Sequence, residues 1–176
     1  MRKWTLLLLP VLLLLTLFPA PPVQAQESAI IQATATVLSA LTIIGTNNLQ
    51  FGTVTPGVNK SVDKSSVGFA GEWSISGAAS AEISLDFTLP DSLILIDSTV
   101  GMRIVFTATD ASYEDGTGGG QPAPAGVVNP LGPSALNLAA DGTLWIWIGG
   151  QVLPRLTQTG GDYAADVILT VAYTGS

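Results

Sequence analysis

Three acidic residues, Asp110, Glu114 and Asp115, are the side chains in this sequence that are best spaced to bind a metal. Calcium is held by several carboxylate and carbonyl oxygens that lie close together in one loop. The spacing departs from the Asp-x-Asp-x-Asp-Gly pattern, and no glutamate follows where a bidentate ligand would be needed. A solvated acidic loop is the favoured interpretation, and we predict no metal site.

A glycine cluster follows directly, at residues 116–120. A phosphate-binding loop would end in Lys-Ser or Lys-Thr and lead into a helix, and this cluster does neither. Asp115 also stands where an anion would approach. We therefore predict that residues 110–134 form one long irregular loop, a kind of segment that is usually functional or mobile.

The sequence lacks most of the residue types that catalytic sites use. The chain has no His and no Cys, which removes the commonest zinc, copper and haem ligands and the usual base of hydrolytic triads. Two carboxylates could hydrolyse a glycosidic bond, but thirteen acidic residues single out no pair. The prediction is a protein that is not an enzyme and that has no catalytic or cofactor-binding residues.

Three tryptophans, Trp73, Trp145 and Trp147, offer a different kind of chemistry, because aromatic rings can form a flat platform for sugars. Burial in a β-sheet core is the commoner role of tryptophan and is the favoured interpretation. Trp145 and Trp147 are two residues apart and are expected to share a face of one strand. A secreted carbohydrate-binding module that uses these two rings remains the alternative function.

The N-terminus predicts export. Arg2 and Lys3 precede an apolar run of 15 residues, and a Pro-rich segment then ends in Val-Gln-Ala at Ala25. This is the layout of a signal peptide, predicted at residues 1–25. The run contains Pro10 and is shorter than the roughly 20 residues of a spanning helix, so no membrane span is expected after cleavage. The expected location is the periplasm, the cell surface or the extracellular space.

Charge narrows the possible partners. Residues 26–176 contain four basic residues against thirteen acidic ones, a net charge of −9. Nucleic acid and anionic membrane surfaces are therefore poor partners, and no nucleic-acid partner is predicted, because both are bound through clustered Lys and Arg. The length fits a single domain with its own core. Without cysteine, that core must be stabilised by packing alone.

The composition of this region predicts an all-β fold, because Val, Ile, Thr, Gly and Ser are abundant and no long segment has helical spacing. Short strands bounded by Gly, Pro and Asn favour a β-sandwich. The predicted strands are residues 29–44, 48–54, 67–76, 81–88, 93–96, 102–109, 143–148 and 165–173.

Two of these segments have informative patterns. Residues 143–148 are apolar on both faces, which indicates a central strand that is covered on each side or that has a contact surface. In the last segment, alternate residues are apolar and predict one buried face of a C-terminal strand. These residues are Ala165, Val167, Leu169, Val171 and Tyr173.

The first segment also alternates across almost all of residues 29–37, with polar Gln32, Thr34 and Thr36 between apolar residues. The apolar residues are Ala29, Ile31, Ala33, Ala35 and Val37. One interpretation is that this segment is the first strand of the domain itself. The other is strand donation, in which the segment completes the sheet of a neighbouring copy through main-chain hydrogen bonds and alternate side chains. Cleavage at Ala25 would leave only three residues ahead of it.

Four segments together resemble a known family: residues 41–44 (Leu-Thr-Ile-Ile), 49–57 (Leu-Gln-Phe-Gly-Thr-Val-Thr-Pro-Gly), 148–154 and 161–173. They are similar to a group of secreted bacterial proteins of unknown function, which are similar in turn to spore coat protein U and to chaperone-usher pilins. Residues 58–140 are largely unmatched. Unlike many pilins, this chain has no cysteine and extends three residues past Tyr173.

The resemblance implies an immunoglobulin-like, pilin-like sandwich and a structural role in a fibre, pilus or coat. It implies polymerisation by donated N-terminal strands, with copies of the chain and a periplasmic chaperone as partners. The donated strand would be residues 29–37. The final strand, with Val167, Leu169, Val171 and Tyr173, would border the receiving groove.

Overall fold

The computed structural model describes residues 27–175, which form thirteen β-strands and no helix. The strands are β1 Thr42–Asn47, β2 Lys60–Val62, β3 Gly71–Ser76, β4 Glu82–Thr88, β5 Ser92–Leu95, β6 Gly101–Val105, β7 Ala111–Glu114, β8 Gly126–Val128, β9 Ser134–Asn137, β10 Thr143–Ile148, β11 Gly150–Leu153, β12 Tyr163–Ala164 and β13 Ile168–Tyr173. The predicted signal peptide, residues 1–25, lies outside the described residues. Within that described range, no helix could cross a membrane.

One layer of the fold is a five-stranded sheet in the order β1-β3-β10-β7-β8. Its strands pair antiparallel. β10 lies at the centre, and its side chains Leu144, Ile146 and Ile148 are fully buried on the inner face. The prediction of a central strand at 143–148 is confirmed.

The opposite layer combines two sheets, β12-β5-β6-β11-β2 and β13-β4-β9. β4 and β5 follow each other along the chain, and so do β12 and β13. Tyr163 faces Leu95, and Tyr173 faces Ile83, so residues 163–173 run along β4 and β5 as one edge. The other side of β4 pairs with β9, and the other side of β5 pairs with β6.

The core lies between these layers. One cluster joins Ile75, Leu144 and Ile146 of the first sheet to Ile83, Leu85 and Leu169 of the opposite layer. A second cluster surrounds Phe51, Met102, Ile104 and Val152, and a third joins Ala111, Val128 and Ile148 to residues such as Val167. The prediction of an all-β sandwich is therefore confirmed.

Several predicted strands appear with nearly the expected bounds. Those at 81–88, 93–96 and 143–148 correspond to β4, β5 and β10. The C-terminal strand starts later than expected, at Ile168, but Val167, Leu169, Val171 and Tyr173 do pack into the core. Ala165 is exposed instead.

Other strand predictions were wrong in part. Residues 48–54 form no strand, because Gly52 has a positive φ of 60° that interrupts the extended backbone, although Phe51 is buried. The predicted loop 110–134 contains β7 and β8, which pair with each other, so that only residues 115–125 connect them. Their Ser, Tyr and Gly residues conceal the alternation that would have predicted them.

The predicted first strand, 29–44, is also shorter than expected, because β1 begins at Thr42. Residues 27–36, which cluster apart from Val37–Ser176, have no regular secondary structure, and all of them are exposed. The alternating segment therefore pairs with no strand among residues 27–175.

Because β10 is buried, we expect alanine substitutions at two isoleucines to have very different effects on the free energy of unfolding. Ile146→Ala is expected to lower the free energy of unfolding by roughly 2–5 kcal/mol, because it leaves a cavity in the core. The matched variant Ile44→Ala, at a residue that is 63% exposed on β1, should change it by less than about 1 kcal/mol. Urea denaturation measures both, and equal losses would contradict this account of the core.

Candidate binding cleft

A cleft of about 1100 Å³ opens into the sandwich within Val37–Ser176. One wall is the end of β1 with residues 47–54, and the other is the segment 158–167. The floor consists of apolar side chains from both layers, namely Trp73, Leu93, Met102, Ile104 and Ile148. The cleft thus reaches side chains of the core between the two layers, of which Met102, Ile104 and Ile148 are buried.

Both walls carry strand edges that pair on one side only. Among the described residues, β1 pairs with β3 alone, and β12 and β13 pair with β5 and β4 alone. An unpaired edge presents main-chain N–H and C=O groups that can receive another strand. The cleft therefore combines an apolar floor with two edges able to form hydrogen bonds.

The unpaired groups of β13 can be identified from its register. The N–H of Thr174 donates to the carbonyl of Glu82 (3.3 Å), so residues 172, 170 and 168 also direct their main-chain groups toward β4. Leu169, Val171 and Tyr173 consequently direct theirs toward the opposite side. Their side chains face the core, so these residues form both the inner face and the open edge of β13, which continues the chain beyond the cleft wall.

Tyrosines hold both ends of the edge formed by residues 163–173. At one end, the Tyr173 hydroxyl donates to the carbonyl of Ser39 (2.9 Å) and accepts the N–H of Ala78 (2.7 Å). At the other end, the Tyr163 hydroxyl donates to the carbonyl of Thr159 (2.7 Å). Of the predicted groove residues Val167, Leu169, Val171 and Tyr173, only Val167 lines the cleft, and Tyr163 lines it as well.

The predicted assembly residues Ala29, Ile31, Ala33, Ala35 and Val37 are all exposed, together with their polar neighbours. Ile31 and Val37 each expose 93% of their surface. We call residues 29–37 the arm. Large aliphatic side chains at this exposure are unusual in a folded chain and mark a contact surface when they lie together.

The tryptophans occupy different environments. Trp73 lies on the inner face and packs edge-on against Phe87, with ring centroids 6.1 Å apart. The register places Trp145 and Trp147 together on the outer face of β10, as predicted. Trp147 is only 5% exposed, however, while Trp145 is half-buried. The two rings therefore offer no shared open platform.

The carboxylates that were considered as calcium ligands accept hydrogen bonds from the chain itself. Glu114 is buried, and its carboxylate accepts the N–H groups of Gly116 (2.8 Å), Gly118 (2.8 Å) and Gly120 (3.1 Å). The expectation of a solvated loop is thus wrong for Glu114. Within residues 27–175, no three His, Cys, Asp or Glu side chains are grouped to hold a metal.

These hydrogen bonds explain the conformation of the glycine cluster. The N–H of Gly118 contributes most to holding the pKa of Glu114 below its ordinary value of 4.5, while burial acts in the opposite direction. Residues 116–120 curve around the carboxylate as such a loop would curve around a phosphate. The glycine cluster therefore binds an anion that the protein itself supplies.

No protein-family model matches this chain, and no curated protein sequence matches it.

The hydrogen bonds of Glu114 lead us to expect that the stability of the fold depends on pH in a specific way. Because its pKa is lowered in the folded state, its contribution to stability is complete at neutral pH and is lost as the pH falls below about 4.5. Glu114→Gln should lower the free energy of unfolding by roughly 1–2 kcal/mol at pH 7. The difference from wild type should shrink toward pH 3.

Denaturant titrations between pH 3 and pH 7 test this expectation. Asp86→Asn, at an exposed carboxylate on β4, is the control and should change stability by less than about 0.5 kcal/mol. A Glu114→Gln difference that is the same at every pH would contradict the role of the carboxylate.

Proposed function

We propose that this protein is a non-enzymatic structural subunit of an exported bacterial fibre, pilus or coat, assembled by β-strand donation. In this assembly the arm of one copy fills the cleft of the next. The observation that carries the proposal is that one chain contains both an exposed, alternating apolar segment and an apolar cleft bordered by unpaired strand edges.

Dimensions and chemistry support this pairing. The nine residues of the arm span about 30 Å when extended, and the edge formed by residues 163–173 spans about 35 Å. In an extended arm, alternate side chains would meet the floor of the cleft, and main-chain groups would meet those of residues 158–167, which line it. The small residues Ala33 and Ala35 suit shallow parts of such a floor.

The proposal includes the finer features implied by the resemblance, namely an immunoglobulin-like, pilin-like sandwich, export through the signal peptide and help from a periplasmic chaperone. An exposed apolar arm and an open cleft in one chain would need protection before assembly, which is a reason for a chaperone. The carbohydrate-binding alternative gains no support from the geometry, because Trp147 is buried.

Deletion of residues 26–38 is expected to abolish assembly. Electron microscopy should show chains for residues 26–176 and none for the truncated protein. The truncated protein should recover stability when a synthetic peptide of residues 26–38 is added, because the peptide supplies the missing strand. Equal stability of the truncated and full proteins, with no peptide binding, would overturn the proposal.

Matched point variants test which edge of the arm is used. Ile31→Asp places a charge on the apolar edge and should weaken peptide binding at least 100-fold, since a buried unpaired carboxylate costs several kcal/mol. Gln32→Asp makes the same charge change on the polar edge and should weaken binding less than about tenfold. Calorimetric titration measures both, and equal losses would contradict insertion of the apolar edge.

A further inference from the structure

The cleft has two candidate occupants in the proposed assembly, the arm of another copy and the arm of the same chain. Only residues 38–41 separate the arm from β1. A tethered segment has an effective concentration on the order of millimolar, far above that of other copies in a dilute solution. Assembly therefore requires that the chain be prevented from filling its own cleft.

Self-insertion through a tight turn would favour one register. To reach the open edge of β1, the chain would have to form a hairpin, and directly opposed residues of a hairpin share a face. Ile43 faces the core, so the apolar edge points inward when Ala35 lies opposite Ile43 and Val37 opposite Leu41, and a shift of two residues would keep it inward only through a longer turn. A shift of one residue would direct Thr34 and Thr36 inward. The tightest turn in this register is residues 38–40, a common hairpin length.

Ser39 is the middle residue of that turn, and its main chain is already held. Its carbonyl accepts the hydroxyl of Tyr173 (2.9 Å), which also accepts the N–H of Ala78 (2.7 Å). Gly77 makes room for this arrangement, since a Cβ there would collide with the Tyr173 hydroxyl. One hydroxyl thus connects the segment before β1 to the end of β13 and to the turn after β3.

Leu41 holds the same segment at a second point. Its side chain packs against the core cluster that contains Leu138 and Leu144, and it lies near Gly77. A hairpin at 38–40 would have to reverse the chain between two positions that are fixed by different forces, a hydrogen bond at Ser39 and apolar packing at Leu41.

We propose that Tyr173 is a positioning residue that prevents self-insertion and so keeps the arm available to another copy. This inference rests on the proposed function, because it concerns the same cleft and arm. Tyr173 acts through the Ser39 carbonyl, by opposing the turn that would return residues 29–37 to the cleft of their own chain.

The test compares residues 26–176 of the wild type with a Tyr173→Phe/Ala40→Gly variant. Phenylalanine keeps the ring but removes both hydrogen bonds, and glycine suits the left-handed last position of a three-residue turn. The control variant, Tyr113→Phe/Ala40→Gly, removes a hydroxyl from β7 and keeps the Tyr173 contacts. Sedimentation velocity measures assembly, and hydrogen exchange measures protection of the arm amides.

The Tyr173→Phe/Ala40→Gly variant should have at least a tenfold larger monomer fraction than the wild type, and its arm amides should be protected in the monomer. The control should assemble as the wild type does. A merely structural role for Tyr173 would lower stability without protecting the arm. A variant that assembles like the wild type, or a monomer whose arm exchanges freely, would overturn the inference.

Failure of strand donation itself would give a different result. In that case the wild type would not assemble, and the protein lacking residues 26–38 would not bind the arm peptide. Hydrogen exchange of the Tyr173→Phe/Ala40→Gly monomer still decides the role of Tyr173. Protection of residues 29–37 supports that role, and free exchange refutes it.

Discussion

Packing of Leu144, Ile146 and Ile148 from β10 against the opposite layer is the interaction on which the sandwich depends. These three side chains are fully buried, and they contribute to two of the three apolar clusters. Burial of each one stabilises the fold by roughly 1.5–3 kcal/mol. Since the sequence contains no cysteine, no disulfide can replace this contribution. The same packing supports the floor of the cleft, because Ile148 belongs both to the core and to the cleft lining.

The layers close unevenly around that core. Where β1 begins, the contacts of Tyr173 with Ser39 and Ala78 bring the two edges together. Where β1 ends, the edges are separated by the cleft, and apolar side chains of both layers line it. A sheet edge without a partner is a liability that natural proteins usually cover. In the proposed assembly, a strand from another copy would cover this edge and would complete the core at the same time.

Sequence reasoning succeeded where burial imposes a regular pattern, as in β4, β10 and β13. It failed for β7 and β8, whose short sequences contain Ser, Tyr and Gly and depend on pairing with distant strands. The roles of the arm residues and of Tyr173 in assembly stay predictions, because alternation within one segment does not show what that segment pairs with. The floor of the cleft escaped prediction, since Trp73, Met102 and Ile148 come from three strands that only the tertiary fold brings together. Glu114 was misjudged because its donors are main-chain groups, which no side-chain pattern reveals.

In the proposed assembly, charge would determine which chain segments can bind the open edge beside the cleft. Asp162 and Asp166 are exposed and line the cleft, and residues 26–176 carry a net charge of −9. An acidic segment that approached this edge would meet repulsion from both carboxylates. Residues 28–40 contain no charged side chain, so in the proposed assembly the arm would enter the cleft without that penalty. The alternating apolar pattern would then supply affinity, and the acidic rim would disfavour other segments. The same uncharged composition would permit self-insertion, which is why a contact that opposes the turn at Ser39 would matter for the proposed assembly.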